Sequence, residues 1–382
     1  MSALLLFGDT ERNAVLRHEI PVPVIDSLLL VVANGSRYVL TSVVDRDRIA
    51  EAIPDAEVLD FFDFGLLELM EDGMERREAV RETVVRVLAQ IELDAAAVPS
   101  DFPLALAERL RAAGVRLSID DDAFDVRRRA KTASELGGVR RAQRAAMAGM
   151  EAARGLLFSA SSGAEGLLVL DGELLLAEDV RAAMRAACEA AGARCPAGVM
   201  VSSVFAGFGH DPGHGPLPAG LPIVVDLWPQ HEPSSCWGDM TRTFVVGEPR
   251  AEAAAELAKM EALVRSAFEE TLATLRPGVT GRDLYLRVCE RFEAAGYPTQ
   301  RTKTPADGHD GFQFALGHGV GLEVHEQPYL GLSGRGQLVV GDVVAIEPGL
   351  QRDGIGMVRF EDLLLVTESG AENLTDFPYD LG

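Results

Sequence analysis

The stretch EDVRAAMRAACEAAGA (178–193) returns 104 positions later as RDLYLRVCERFEAAGY (282–297), with Asp179 over Asp283, Val180 over Leu284, and the run Glu-Ala-Ala-Gly in register. Both copies carry the apolar spacing of an amphipathic helix. Both stop at a glycine, Gly192 or Gly296, where a helix end favours a left-handed residue. Glycine-rich, strand-like sequence follows each. Helix then strands, twice, implies a duplicated α+β unit with a site between its halves.

The sequence ahead of the repeat differs in character, and 382 residues is long for one domain. SLLLVVANGSRYVLTSVVD (27–45) holds two β-rich runs around Asn34-Gly35, a strong signal for a two-residue hairpin turn. MERREAVRETVVRVLAQI (74–91) and FPLALAERLRAAG (102–114) have helical spacing. We expect a smaller α/β domain over residues 1–125 and the α+β region over 126–382. The charged segment DDDAFDVRRRAKTASEL (120–136) reads as the linker. It ends in Thr132-Ala-Ser-Glu135, a capping-box pattern that opens a long helix.

The formal net charge of −23 excludes a nucleic-acid surface and an anionic membrane as partners, because both need concentrated positive charge. No apolar run approaches the ~20 residues of a membrane helix. The opening MSALLLFGDTERN lacks the basic segment and long apolar run of a signal peptide, so a cytoplasmic location is expected. Cys188, Cys195, Cys236 and Cys289 show no CxxC spacing and read as reduced core thiols.

The chemistry gathers in the duplicated region. PIVVDLWPQ (222–230) is a buried-strand run that stops at Asp226, and WGDMTRTFVVG (237–247) is a second that begins around Asp239. Adjacent antiparallel strands would bring the two aspartates together, unless an arginine such as Arg242 takes them as a structural pair. Further on, FALGHGVGLEVHEQP (314–328) seats His318 and His325 among glycines. VVAIEPGL (343–350) ends a buried strand in Glu347, and VRFEDLLLVT (358–367) puts Glu361 inside an apolar strand. Burying such a glutamate costs several kcal/mol unless something positive meets it. For four carboxylates and a histidine with few cations nearby, a metal is the better neutraliser. The donor set suits Mn²⁺, Co²⁺, Fe²⁺ or Zn²⁺, and four carboxylates exceed the need of one ion, so two are expected.

Taken in order, VVDLWP, GDMTRTF, GHGVGLEVHEQP, AIEPGL and VRFEDLLLVT resemble the pita-bread metallopeptidases, the group of methionine aminopeptidase, aminopeptidase P and prolidase. The resemblance runs from about residue 130 to the end of the sequence. The domain ahead of it resembles the amino-terminal domain of the Xaa-Pro branch and of creatinase. By this resemblance Asp226 would chelate one ion, Asp239 and Glu361 would bridge, and His318 with Glu347 would hold the second. The glycines would let the backbone bend so that His318 reaches the metal. His325 would lie over the substrate and donate to its carbonyl oxygen.

A further family histidine falls in FAGFGHDPGHGPLPAG, where His210 keeps the better distance to Asp226 and His214 is the alternative. The expected activity is hydrolysis of the bond before proline in a small peptide, with Glu347 shuttling the proton. Xaa-Pro dipeptidase comes first and aminopeptidase P second. Small-molecule hydrolysis on the same fold and a non-enzymatic binding module are the rival readings. A homodimer is expected by the same resemblance. A dipeptidase needs a recogniser for the free proline carboxylate, and Arg359 is the first candidate. The alternatives are a structural pairing of Arg359 with a ligand carboxylate, or Arg46 and Arg48 brought in by a partner chain.

Overall fold

The computed structural model describes residues 3–205, 211–379 and 381. The chain divides into two compact units, Met1–Arg128 and Arg129–Gly382.

Strands β1 (Leu4–Gly8), β2 (Leu28–Ala33), β3 (Ser36–Thr41), β4 (Ala56–Asp60), β5 (Ala95–Val98) and β6 (Arg116–Ile119) form one sheet in the first unit, in the order β4-β3-β2-β1-β5-β6. β2 is antiparallel to β1 and β3, and every other pairing is parallel. Five strands therefore run one way and β2 the other. The continuous apolar run of β2 has its reason in the layers: Leu29 and Val31 enter one core, Leu28 and Leu30 the other. Asn34 and Gly35, at φ 54° and 83°, make the β2–β3 turn that the two-residue hairpin requires. Helices α1 (Ala14–Glu19), α2 (Val43–Ala52), α3 (Leu66–Glu71), α4 (Arg76–Gln90) and α5 (Leu104–Ala112) complete the layers.

The charged segment read as a linker is a helix, α6 (Asp121–Arg129). Phe124 is fully buried in the core that holds Leu6 and Ile20, a burial worth about 1.5–3 kcal/mol. Asp121 and Asp122 lie in its first turn and Arg127 to Arg129 in its last, the charge order that a helix dipole favours. A single apolar anchor in a charged run is too weak a periodic signal to mark a helix in advance.

The second unit opens with α7 (Ala133–Ser159), and the capping box is formed. Thr132 Oγ1 accepts from the Glu135 N–H at 3.2 Å, and the Glu135 carboxylate accepts from the Thr132 N–H at 2.8 Å. A small meander follows: β7 (Ser161–Ser162), β8 (Leu168–Leu170) and β9 (Glu173–Leu174). Next come α8 (Ala177–Ala190), β10 (Met200–Ser203), β11 (Pro222–Leu227), β12 (Gln230–His231), β13 (Cys236–Trp237) and β14 (Met240–Val245). The remainder is α9 (Ala254–Thr274), α10 (Gly281–Ala294), β15 (Gly317–Gly319), β16 (Glu326–Leu330), β17 (Val343–Ile346), β18 (Gly349–Arg352), β19 (Gly356–Arg359), β20 (Asp362–Val366) and β21 (Ala371–Asn373).

The duplication is visible in the packing. Side chains of α7 and α8 share a core with β10, β11 and β14, and those of α9 and α10 share one with β16, β17 and β20. The matched helices α8 and α10 have 14 residues each and are followed by Gly192 and Gly296 at φ 86° and 87°. The sheets are β10-β11-β14 in the first half and β16-β15-β17-β20-β21 in the second, all antiparallel. The four cysteines are buried and reduced. Among the described residues no helix is long and apolar enough to cross a membrane.

Candidate metal centre

Asp226 is near the end of β11 and Asp239 stands one residue before β14. Their pairing sets Asp226 opposite Thr241 and Leu227 opposite Met240, so both aspartates occupy one end of the hairpin. Helix α7 fixes that end. A Cβ on Gly238 would lie 2.7 Å from the backbone of Ala142, so only glycine lets the strand come so close. The Gln143 amide, fully buried, clamps Asp239 by its backbone: it accepts from the Asp239 N–H at 2.9 Å and donates to the Asp239 carbonyl at 3.0 Å. The same amide donates to Thr375 Oγ1 at 2.8 Å.

The second half supplies His318, Glu347 and Glu361. His318 is the middle residue of β15, and the reason for its glycines differs from the one expected. Neither Gly317 nor Gly319 has positive φ. A register shift in the β15–β16 pairing does fall between them, but space is the tighter constraint. A Cβ at Gly317 would lie 1.9 Å from the Ala345 carbonyl oxygen, and one at Gly319 2.3 Å from that of Gln327. Glycine here lets three strands close on the histidine. Glu347 follows β17, with its N–H on the Leu316 carbonyl at 2.8 Å.

The run expected to be one strand through Glu361 is two. β19 ends at Arg359 and pairs with β18, whereas β20 begins at Asp362 in the five-stranded sheet. Glu361 stands in the break. There an isolated bridge to Thr241 joins the two halves: the Glu361 N–H donates to the Thr241 carbonyl at 3.1 Å, and Thr241 Oγ1 donates to the Glu361 carboxylate at 2.6 Å.

Asp239, His318 and Glu361 each place a ligand atom within 4.8 Å of the others, and all three are buried. His318 Nε2 lies 3.7 Å from both the Asp239 and the Glu347 carboxylates. Its Nδ1 lies 3.2 Å from the Gly319 carbonyl, so the proton belongs on Nδ1 and the Nε2 lone pair faces the acids. Burial, helped by His325, lowers the His318 pKa to about 3, so the ring is neutral. Burial and then the neighbouring carboxylates hold Asp239 and Glu361 well above the usual range, and burial lifts Glu347 to about 7.

Among the described residues one cation meets these four carboxylates, and it is not Arg242. Arg359 pairs with Asp226 and reaches Glu347 at 3.5 Å. Burial alone would depress its pKa; the carboxylates, Asp226 foremost, raise it. Its Nε is buried without an acceptor. Three buried acids and the half-buried Glu347 against one guanidinium, with a neutral imidazole nitrogen aimed at them, are a donor set that fits divalent metal.

His325 is exposed and stands edge-on to His318, with ring centroids 4.2 Å apart. The loop that carries it is strapped from behind. The Trp237 N–H donates to the Gly321 carbonyl at 2.9 Å, its indole N–H to that of Leu322 at 3.1 Å, and Lys131 pairs with Glu326. His214 is exposed, with Nδ1 3.1 Å from Glu178 of α8. His210 lies outside the described residues. Arg48 is held by Asp45 at 2.9 Å, and Arg46 lies 3.8 Å from Asp47. Sequence reasoning passed over Gln143 and Thr241. Gln143 had a signal: it is the polar member of an otherwise apolar stripe (Val139, Ala142, Ala146, Met150).

The pattern of metallopeptidase family M24 matches residues 137–368. Among curated relatives, "Probable dipeptidase PepE" of Mycobacterium tuberculosis is 33% identical over 177 residues, 45% of this chain and 43% of that protein. "Xaa-Pro dipeptidase" of Pyrococcus furiosus is 35% identical over 153 residues, 40% of this chain and 39% of that protein. The matches thus span about two fifths of those relatives' length. The solved structure of "Xaa-Pro dipeptidase from Bacillus anthracis" superposes with a TM-score of 0.78 at 19% identity, over 100% of this chain and 94% of that one. The likeness shows the fold, a pita-bread region preceded by an amino-terminal α/β unit. With the pattern matched over more than half of its residues, the chain belongs to metallopeptidase family M24.

Proposed function

We propose that the chain is a metal-dependent peptidase that hydrolyses the bond between an amino-terminal residue and proline, with dipeptides as its first substrates. The carrying observation is the buried cluster of Asp239, His318 and Glu361, with Asp226 linked to it through Arg359 and Glu347 beside His318. The 35% identity to a relative named Xaa-Pro dipeptidase supports the substrate class. Asp226, Asp239, His318, Glu347 and Glu361 would hold two ions of the Mn²⁺, Co²⁺ or Zn²⁺ kind, with Asp239 and Glu361 serving both. Such ions supply Lewis acidity: they lower the pKa of water and polarise the scissile carbonyl. Glu347 would take a proton from water and deliver it to the leaving proline nitrogen. His325, and by the family resemblance His210, would donate to the carbonyl oxygen as charge develops there. A homodimer and a cytoplasmic location belong to the same reading, supported by the family resemblance and the sequence.

Substrate length turns on Arg359. Two of its nitrogens face Asp226 and Glu347, which favours a structural role and hence aminopeptidase P. Its unsatisfied Nε is a donor in want of an acceptor, which favours recognition of a proline carboxylate and hence the dipeptidase. The test uses metal-reconstituted protein with Ala-Pro, Ala-Pro-Ala, Ala-Pro amide and creatine. Ala-Pro should have the highest kcat/KM, and amidation should cost roughly 1.5–3 kcal/mol, as for a lost charge-assisted hydrogen bond. A faster tripeptide gives aminopeptidase P. Turnover of creatine alone gives the small-molecule hydrolase, and no turnover of any gives the binding module.

A further inference from the structure

The first unit contains a cavity of about 380 Å³ that plays no part in the chemistry above, a size within the range of small-molecule pockets. Its place in the fold is telling. Phe7 at the end of β1, Ser42 just past β3 and Asp60 at the end of β4 line it. The first turns of α4 and α5 line it too, through Arg76, Arg77 and Ala105. In an open, mostly parallel α/β sheet the crevice beyond the carboxyl ends of the strands is where ligands bind.

Its side chains state what they would take. Arg76, Arg77 and Asp26 all line the cavity, and among the described residues no side-chain hydrogen bond or ion pair engages them. Arg81, also at the wall, is held by Glu78 at 2.9 Å. The Ser42 hydroxyl is buried with no hydrogen-bond partner, although Ser42 is the N-cap of α2, a position where the side chain ordinarily bonds to the helix. The apolar lining is Phe61, Leu66, Val80 and Leu106. Unengaged charges of both signs beside an apolar surface select against a simple anion, since Asp26 would repel it. They suit a molecule that carries both charges and an apolar group.

We propose that this cavity binds a small amino-acid-type zwitterion with an apolar side chain. The side chains of Arg76 and Arg77 would take the carboxylate, Asp26 the ammonium group, and the Phe61–Leu106 surface the side chain. The site is independent of the metal centre and of the activity assigned to it.

Calorimetric titration of the full-length, metal-loaded chain tests it, with L-leucine as probe and N-acetyl-leucine, leucinamide and inorganic phosphate as controls. Leucine should bind saturably, and removing its ammonium or its carboxylate should weaken binding about tenfold or more. Asp26→Ala and the double variant Arg76→Ala, Arg77→Ala should weaken leucine binding to a similar extent. Ala105→Trp, which fills the cavity, should abolish it. All of these should leave basal hydrolysis of Ala-Pro unchanged. Absence of saturable leucine binding, or equal affinity in all three variants, overturns the proposal. So does phosphate binding in preference to leucine.

Discussion

Two arginine–carboxylate pairs of the second unit, Arg242 with Asp362 and Arg359 with Asp226, are not alike. Arg242 spends every N–H: on the carbonyls of Pro378, Thr241, Glu361 and Phe377 and on Asp362 at 2.8 Å. Its guanidinium lies over the Tyr379 ring, and Asp362 is in turn bonded to Asn373 and Tyr379. Arg359 meets Asp226 and Glu347 and leaves its Nε without an acceptor, among four carboxylates with no second cation among the described residues. Burying a charge costs several kcal/mol unless its hydrogen bonds are complete. The completed pair therefore reads as scaffold. The incomplete one reads as a place that something from outside the chain completes.

The largest effect tests the incomplete side. Chelation, or Asp239→Ala or Glu361→Ala, should remove metal and abolish hydrolysis, a loss above about 10⁴-fold or roughly 5 kcal/mol. Metal analysis that finds both ions retained in either variant would remove the bridging role and much of the contrast. Next comes a direct comparison of the arginines by urea denaturation in saturating Mn²⁺. Arg242→Ala should lose about 3–5 kcal/mol of stability, because Asp362 is left buried and unpaired. Arg359→Ala should lose less than half of that while kcat/KM falls sharply. Equal stability losses would mean that both arginines are scaffold.

The histidines sharpen the same contrast at smaller scale. His325→Ala should keep the metal and lower kcat by about 10²-fold, near 2.7 kcal/mol, as for a lost oxyanion donor. His318→Ala should lose metal instead. Identical metal contents in the two variants would merge their roles.

The last effect is one of pH. Without metal, the folded carboxyls of Glu347, Asp239 and Glu361 hold protons that the unfolded chain sheds above the ordinary values of 4.5 for glutamate and 3.8 for aspartate. The folded state then binds more protons, so stability falls as pH rises, through about 7 for Glu347. Each group contributes at most about 1.4 kcal/mol per pH unit. Melting temperatures in chelator should therefore be lower at pH 8 than at pH 5. A rise instead would mean that Arg359 alone neutralises the site.

What could be read in advance follows from how far each cause reaches along the chain. The Asn34-Gly35 turn and the Thr132/Glu135 capping box are decided within four residues and were legible. Asp226 and Glu347 stood out because each closes a buried apolar run, and Asp239 because it opens one, where a carboxylate is out of place. The break at Phe360-Glu361 was not, since an unbroken apolar run carries no mark of a change of sheet. Which arginine would serve Asp226 was equally hidden. Arg242 and Arg359 both stand in strands near acids, and the choice rests on contacts 133 and 120 residues away in sequence. Gln143 holds Asp239 across 96 residues, and the unit's unassigned polar position was its only local trace.

The Thr241–Glu361 bridge spans 120 residues of chain, and that separation sets an order of events in folding. Asp226 and Asp239 leave the ribosome long before Glu361 exists, so an ion on the proposed ligands could not find all of them until both halves have docked. Loop closures of this length come late and slow. Metal therefore acts after the barrier: it should leave the refolding rate nearly unchanged and slow the unfolding rate, so that the ion works as a latch on a finished structure rather than as a seed for one.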